Sequence, residues 1–142
     1  MEALLKKIFI VDDDVDVIES MEIPLSANGF KVISTTDTSK VLEIMGKEKP
    51  DLVFLDVIFP GNSTAGFELC REIKSHQSYK NTPVIILSAI NQQFKMAFSS
   101  QIKTYDWLPA ELFLEKPLDV ELLLTIVNHF QKTGNLRYKD PR

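Results

Sequence analysis

Short apolar runs alternate along the chain with longer segments in which apolar residues recur at helical spacing. The first run, Ile8 to Val11, is continuous, which is typical of a strand buried on both faces. Strands are predicted at 8–11, 30–34, 52–55, 84–87 and 112–114. Helices are predicted from the apolar spacing at 17–25, 41–45, 67–75 and 122–130, with a further short helix within 91–104. Five strands alternating with helices predict an α/β fold with a parallel sheet covered on both faces.

Turn-forming residues separate these segments. Asn28-Gly29 is a good C-terminal cap for the first helix, and Lys49-Pro50 ends the second. Pro24 lies inside the first helical segment, where it removes a hydrogen bond and should kink or loosen the last turn. The terminal segment RYKDPR, residues 137–142, is polar, and we expect it to fray.

Composition narrows the classes of function. The chain has 142 residues, enough for one domain, and a net charge of −4. Because no long basic run is present, direct nucleic-acid binding is not expected. Cys70 is the only cysteine, which excludes an internal disulfide and a cysteine-cluster zinc site, and its apolar surroundings predict a buried thiol.

The amino-terminal segment does not resemble a targeting signal. Its apolar run is broken by Lys6 and Lys7 and ends in three aspartates, unlike a signal peptide. No stretch approaches the roughly 20 apolar residues that span a bilayer. We therefore expect a cytoplasmic protein without a membrane partner.

Chemically useful side chains follow four of the predicted strands. Asp12 and Asp13 come directly after the first strand, Asp56 after the third, Ser88 after the fourth and Lys116 shortly after the fifth. Because parallel strands present their carboxyl ends at one edge of the sheet, these residues are expected to meet there. Taken alone, an acidic pair after a strand is usually a solvated loop or a helix cap. The placement of all these residues at one edge of the sheet favours a functional site.

Converging carboxylates favour a hard divalent cation, since they otherwise repel each other. Magnesium suits one or two carboxylates together with water and a phosphate oxygen. A carboxylate can also act as the nucleophile and form an aspartyl phosphate. A lysine and a hydroxyl would then neutralise and hydrogen-bond the phosphoryl oxygens.

Four segments carry a resemblance to a known family: KKIFIVDDDVDV, PDLVFLDVIFPG, TPVIILSA and FLEKP. Together they are similar to the receiver domains of two-component response regulators, over roughly residues 5–132. The resemblance implies a flavodoxin-like, doubly wound sheet of five parallel strands in the order 2-1-3-4-5, with helices on both faces. It also implies a receiver domain at 5–132 followed by a polar tail at 133–142.

The resemblance assigns metal and phosphoryl roles to individual residues. Asp56 matches the phosphoacceptor, and Asp13 matches the direct Mg²⁺ ligand. Asp12 matches the acidic partner that holds the metal or its water, and the backbone carbonyl of Ile58 matches a further ligand. Asp14 has no counterpart among these roles, and capping of the first helix is its expected role.

Three further residues match the switch of this family. Ser88 corresponds to the hydroxyl that moves onto the phosphoryl group, and Lys116 to the lysine that pairs with it. Phe113 corresponds to the aromatic side chain that turns inward when the hydroxyl moves. Ile58 and Ile90 hold the two positions that tune hydrolysis of the aspartyl phosphate. Because apolar groups cannot orient an attacking water, a long-lived phosphorylated state is expected.

Two loops depart from the family's usual pattern. The loop from Asp56 to Gly66, within 57–66, is longer than usual, which bears on metal access and kinase docking. The stretch 89–112 is also longer and contains YDWLPAELF where the family often has a compact turn. The helix predicted within it is therefore the least typical part of the chain.

The implied function is a phosphorylation-dependent signalling switch. The phosphoryl donor would be a histidine kinase or phosphotransfer protein, and the signal would pass to an output partner or a fused output domain, with a homodimer as a further possibility. Such a protein catalyses only its own phosphorylation and dephosphorylation. One alternative is an unphosphorylated interaction module. Another is an aspartyl-phosphate hydrolase, although such enzymes generally carry a second aspartate where this chain has Ile58.

Overall fold

The computed structural model describes residues 7–56, 65–88, 112–115 and 118–133, and it describes only the backbone of residues 65–67, 88, 112, 113 and 115. Five parallel strands form one sheet in the order β2-β1-β3-β4-β5. The strands are β1 (Lys7–Val11), β2 (Lys31–Thr35), β3 (Leu52–Asp56), β4 (Val84–Ser88) and β5 (Leu112–Glu115). The described helices are α1 (Val15–Ala27), α2 (Val41–Glu48), α3 (Ala65–Ser75) and α4 (Val120–Thr133), with a 3-10 turn at Thr38–Lys40. The predicted fold class and strand order are confirmed.

Side chains along each strand point alternately to the two faces of the sheet, and this divides the core into two layers. Ile8 and Ile10 of β1 pack in the cluster that also holds the buried residues of α1 and α4. Phe9 and Val11 pack on the opposite face with buried residues of α2 and α3. All four are fully buried, because successive strand side chains point to opposite faces and both faces carry helices. The continuous apolar runs seen in the sequence arise from this arrangement.

The second strand begins one residue later than predicted. Phe30 is buried, and its N–H donates to the carbonyl oxygen of Leu25 at 3.2 Å, so it closes the end of α1 instead of opening β2. Gly29, with φ of +92°, makes the left-handed turn that brings Phe30 back onto the helix. In the last turn before this cap, α1 continues through Pro24, whose carbonyl oxygen accepts a hydrogen bond from the Asn28 side chain at 2.8 Å.

Three predicted features lie outside the described residues: the loop within 57–66 up to residue 64, the helix within 91–104, and the tail from 134 onward. Cys70 is fully buried, as predicted. Among the described helices, none combines the length and apolar character that crossing a bilayer requires.

Candidate functional site

The site lies where the order of the strands reverses. The chain passes from β1 outward to β2 and then returns to place β3 on the other side of β1. In the β1–β3 pairing, Val11 lies opposite Leu55, so Asp12 and Asp56 are the next residues along each strand. The carboxyl ends of strands flanking such a reversal form the crevice in which open α/β sheets bind ligands.

Three of the predicted site residues meet in this crevice. The carboxylates of Asp12, Asp13 and Asp56 each place an oxygen within 4.8 Å of the others. Asp12 is fully buried and Asp56 is 2% exposed, whereas Asp13 is exposed. Burial of two carboxylates side by side is uncommon, because charged groups are rarely removed from water without compensation.

The start of α1 fixes the position of Asp12. The backbone N–H of Asp12 donates to the carbonyl oxygen of Thr35 at 3.3 Å. Its Oδ1 accepts a hydrogen bond from the backbone N–H of Asp14 at 2.9 Å. The side chain of Asp14 caps α1 by accepting from the N–H of Asp16 at 2.9 Å, which confirms the predicted capping role.

The hydrogen bond from Asp14 to Asp12 was not predicted from the sequence. The signal that could have revealed it is the spacing of aspartates at 12, 14 and 16 before a helical segment. An aspartate side chain commonly accepts the N–H of the residue two positions later, and here two such bonds follow one another.

Electrostatics make this crevice attractive to a cation. Coulomb's law with an effective dielectric of about 20 gives roughly 3 kcal/mol of repulsion between two carboxylates about 5 Å apart. The N-terminus of α1 offsets part of this repulsion, since its backbone N–H groups carry partial positive charge. A divalent cation bound among the three oxygens would reduce the repulsion further.

The donor set fits magnesium. All three side chains present hard carboxylate oxygens, and neither cysteine nor histidine belongs to the cluster found among the described residues. Such a set suits Mg²⁺, Ca²⁺ or Mn²⁺ better than the softer zinc or copper. An exposed member, Asp13, leaves the cluster open on one side, as magnesium requires when it retains water or binds a phosphate oxygen.

The remaining predicted residues are described in part or not at all. Ser88 is the last residue of β4, and its backbone pairs with that of Glu115 at the end of β5. Phe113 lies in β5 opposite Ile86. The side chains of Ser88 and Phe113 are not described, and Ile58, Ile90 and Lys116 lie outside the described residues.

Comparison with known proteins agrees with this architecture. The family model of the response regulator receiver domain matches residues 8–128, which is most of the chain. The chain belongs to this family. The three clustered aspartates, Asp12, Asp13 and Asp56, lie inside the matched range.

Solved receiver domains have the same fold. A candidate response regulator from Chloroflexus aurantiacus is 27% identical, with a TM-score of 0.74 over 90% of this chain and 98% of that one. The BeF3-activated receiver domain of DrrB is also 27% identical, with a TM-score of 0.70 over 90% and 98%. In the longer DrrB structure from Thermotoga maritima, this chain covers 58% of that protein. The chemotaxis response regulator CheY4 of Vibrio cholerae, at 24% identity, 88% and 98% coverage and a TM-score of 0.70, shares the fold.

Proposed function

We propose that this receiver domain is a phosphorylation-dependent switch of a two-component system, which accepts a phosphoryl group on Asp56 with the help of Mg²⁺. The observation that carries the proposal is the convergence of Asp12, Asp13 and Asp56 within 4.8 Å at the carboxyl edge of the sheet. A solvated acidic loop would not bury two of its three carboxylates.

Asp56 is the proposed nucleophile. One of its carboxylate oxygens forms a bond to phosphorus while the bond between phosphorus and the donor's leaving group breaks, so the product is an aspartyl phosphate. Burial at the end of β3 limits the access of water to this group and strengthens electrostatic interactions around it. Bound magnesium would neutralise charge on the phosphoryl oxygens. Asp12 and Asp13, with the backbone carbonyl of Ile58, are the proposed residues that hold it.

Ser88 and Lys116 are proposed to contact the phosphoryl oxygens, and Phe113 to follow the movement of Ser88. The pairing of Ser88 with Glu115 supports this assignment, because these residues end two adjacent strands and Lys116 follows Glu115 in the sequence. A hydroxyl and an ammonium group at adjacent strand ends are suitable donors to a charged oxygen.

The proposed donor is a histidine kinase or phosphotransfer protein. The proposed receiver of the signal is an output partner or a fused output domain, which would recognise the altered surface around β5, α4 and the segment predicted as a helix within 91–104. A homodimer through the same surface is a further proposal. Apart from its own phosphorylation and dephosphorylation, no reaction is proposed.

Incubation with acetyl phosphate and Mg²⁺, followed by intact-mass measurement, tests the acceptor. One phosphoryl adduct is expected, and it should be absent without Mg²⁺ and absent in Asp56→Asn. Asp51→Asn is a matched control, because Asp51 immediately precedes the other end of the same strand, and this variant should still form the adduct.

Three outcomes of this experiment contradict the proposal in different ways. An adduct that persists in Asp56→Asn would mean that another residue is the acceptor. No adduct, together with no binding of beryllofluoride, would favour the unphosphorylated interaction module. An adduct formed equally well in EDTA would remove the role of Mg²⁺.

The lifetime of the adduct tests the two isoleucines. We propose that Ile58 and Ile90 shield the aspartyl phosphate and slow its hydrolysis, since neither can orient a water molecule. Ile90→Glu should then shorten the lifetime. A short lifetime in the unaltered protein, unchanged by this substitution, would refute the proposal.

A further inference from the structure

Asp14 joins the first helix to the carboxylate cluster. Its side chain accepts the N–H of Asp16, its carbonyl oxygen accepts the N–H of Ile18 at 3.2 Å, and its own N–H donates to Oδ1 of Asp12. The residue is therefore held by α1 on one side and holds a buried carboxylate on the other.

The cap determines where that N–H points. Asp14 has φ of −100° and ψ of 109°, an extended conformation that lets its side chain reach back to the helix. The helix itself is anchored to the sheet through buried Ile18, Met21 and Leu25. Without the cap, residue 14 gains conformational freedom, and the direction of its N–H is no longer fixed.

We propose that Asp14 is a positioning residue of the magnesium site: by capping α1, it orients its own N–H and so holds the Asp12 carboxylate in the geometry that binds the cation. This inference rests on the proposed function. Groups that hydrogen-bond to metal ligands orient those ligands, and their removal typically lowers metal affinity by roughly 10- to 100-fold.

The charge of Asp14 must be separated from its capping. Asparagine and serine also cap helices but carry no charge, whereas alanine neither caps a helix nor carries a charge. Asp14→Asn and Asp14→Ser should weaken Mg²⁺ binding by no more than about twofold, because one exposed charge is screened by water and salt. Asp14→Ala should bind Mg²⁺ about tenfold more weakly than either of them.

Asp119 provides a control for general loss of helix stability. It caps α4 by accepting the N–H groups of Glu121 and Leu122 at 2.9 and 3.2 Å. Asp119→Ala should lower the thermal stability about as much as Asp14→Ala, because both remove one N-cap. Its Mg²⁺ affinity should equal that of the unaltered protein.

The measurement is a titration with MgCl₂ at constant ionic strength, followed by the amide NMR signals of residues 12–14 and 56, at a temperature where every variant is folded. A tenfold gap between the Ala variant and the two capping variants supports the inference. Equal affinities for Asp14→Ala and Asp14→Asn overturn it, and so does a similar loss in Asp119→Ala. If the unaltered protein binds no Mg²⁺, the proposed function fails and this inference fails with it.

Discussion

At the carboxyl edge of the sheet three carboxylates lie within 4.8 Å of one another, whereas the described contacts at the amino edge join Lys7 to Glu48 and Asp51. Nζ of Lys7 donates to the carbonyl oxygen of Glu48 at 2.8 Å and lies 3.4 Å from its carboxylate. Asp51 accepts the N–H of Lys7 at 2.9 Å, and its own N–H donates to the Lys7 carbonyl at 2.8 Å.

The difference indicates which edge is built for stability. The contacts at the amino edge fasten the end of α2 and the start of β3 to β1 and satisfy backbone groups at the end of a helix. The carboxyl edge instead places three carboxylates close together, where like charges repel. Such local conflicts are expected at functional sites, where stability is given up for chemistry.

Asp12→Asn gives the largest expected effect. The amide keeps an oxygen that can accept the N–H of Asp14 but removes one negative charge from the cluster. In EDTA the free energy of unfolding should rise by about 2 kcal/mol, from the loss of part of the repulsion. Urea denaturation measures it, and saturating Mg²⁺ should shrink or reverse the difference because the cation stabilises only the folded site. A loss of stability in EDTA would contradict this account of the carboxyl edge.

Asp51→Ala tests the opposite edge. The variant leaves the N–H of Lys7 without its carboxylate acceptor, so the free energy of unfolding should fall by about 1.5 kcal/mol. Asp51→Asn keeps an acceptor oxygen and should lose less. Equal stability of all three proteins in urea denaturation would show that the amino edge contributes little.

Gly46 and Tyr79 form a second contact near the amino edge, between α2 and the turn after α3. A Cβ on Gly46 would lie 2.9 Å from the Tyr79 hydroxyl oxygen. Alanine at an exposed position inside a helix normally stabilises by about 0.5–1 kcal/mol relative to glycine. This gain should be absent in Gly46→Ala and should appear in Gly46→Ala combined with Tyr79→Phe.

A double-mutant cycle in urea measures this coupling between residues 46 and 79. The expected coupling energy is about 1 kcal/mol, since the two residues are in direct contact. Tyr79 also stacks on His76, with ring centroids 4.3 Å apart, which restricts its freedom to move aside. Additive effects of the two substitutions would show that the ring moves aside without cost.

The carboxyl edge was predictable from the sequence because its geometry follows from local rules. Asp12 and Asp13 come directly after one buried run and Asp56 after another, and parallel strands bring such positions together whatever the helices between them do. The same reasoning does not give the orientation of the Asp12 carboxylate, which depends on the hydrogen bond from Asp14.

The amino edge was not predictable, because its contacts join segments far apart in the sequence. Lys7 lies 41 residues before Glu48 and 44 before Asp51, and no periodic pattern relates the three. The start of β2 was misplaced for a related reason: Phe30 has a strand-forming side chain, but its N–H is used to close α1. Its role is set by the preceding helix end, not by its own propensity.

The smallest expected effect concerns Asp37, an exposed carboxylate that follows β2 at the carboxyl edge. The hydroxyl of Ser39 donates to its Oδ1 at 2.6 Å and the backbone N–H of Ser39 at 2.9 Å, and these bonds lower the pKa of Asp37 below the usual 3.8. Because the folded-state pKa is depressed, these bonds stabilise the folded state above pH 3.8, and that stabilisation is lost as the pH falls through the folded-state pKa of Asp37.

Ser39→Ala should raise the pKa of Asp37 only part of the way to 3.8, since the backbone donor remains. NMR titration of the side-chain carboxyl carbon measures it, with Ser75→Ala as a control that should leave Asp37 unchanged. An unaltered pKa of Asp37 in Ser39→Ala would mean that the backbone bond alone lowers it.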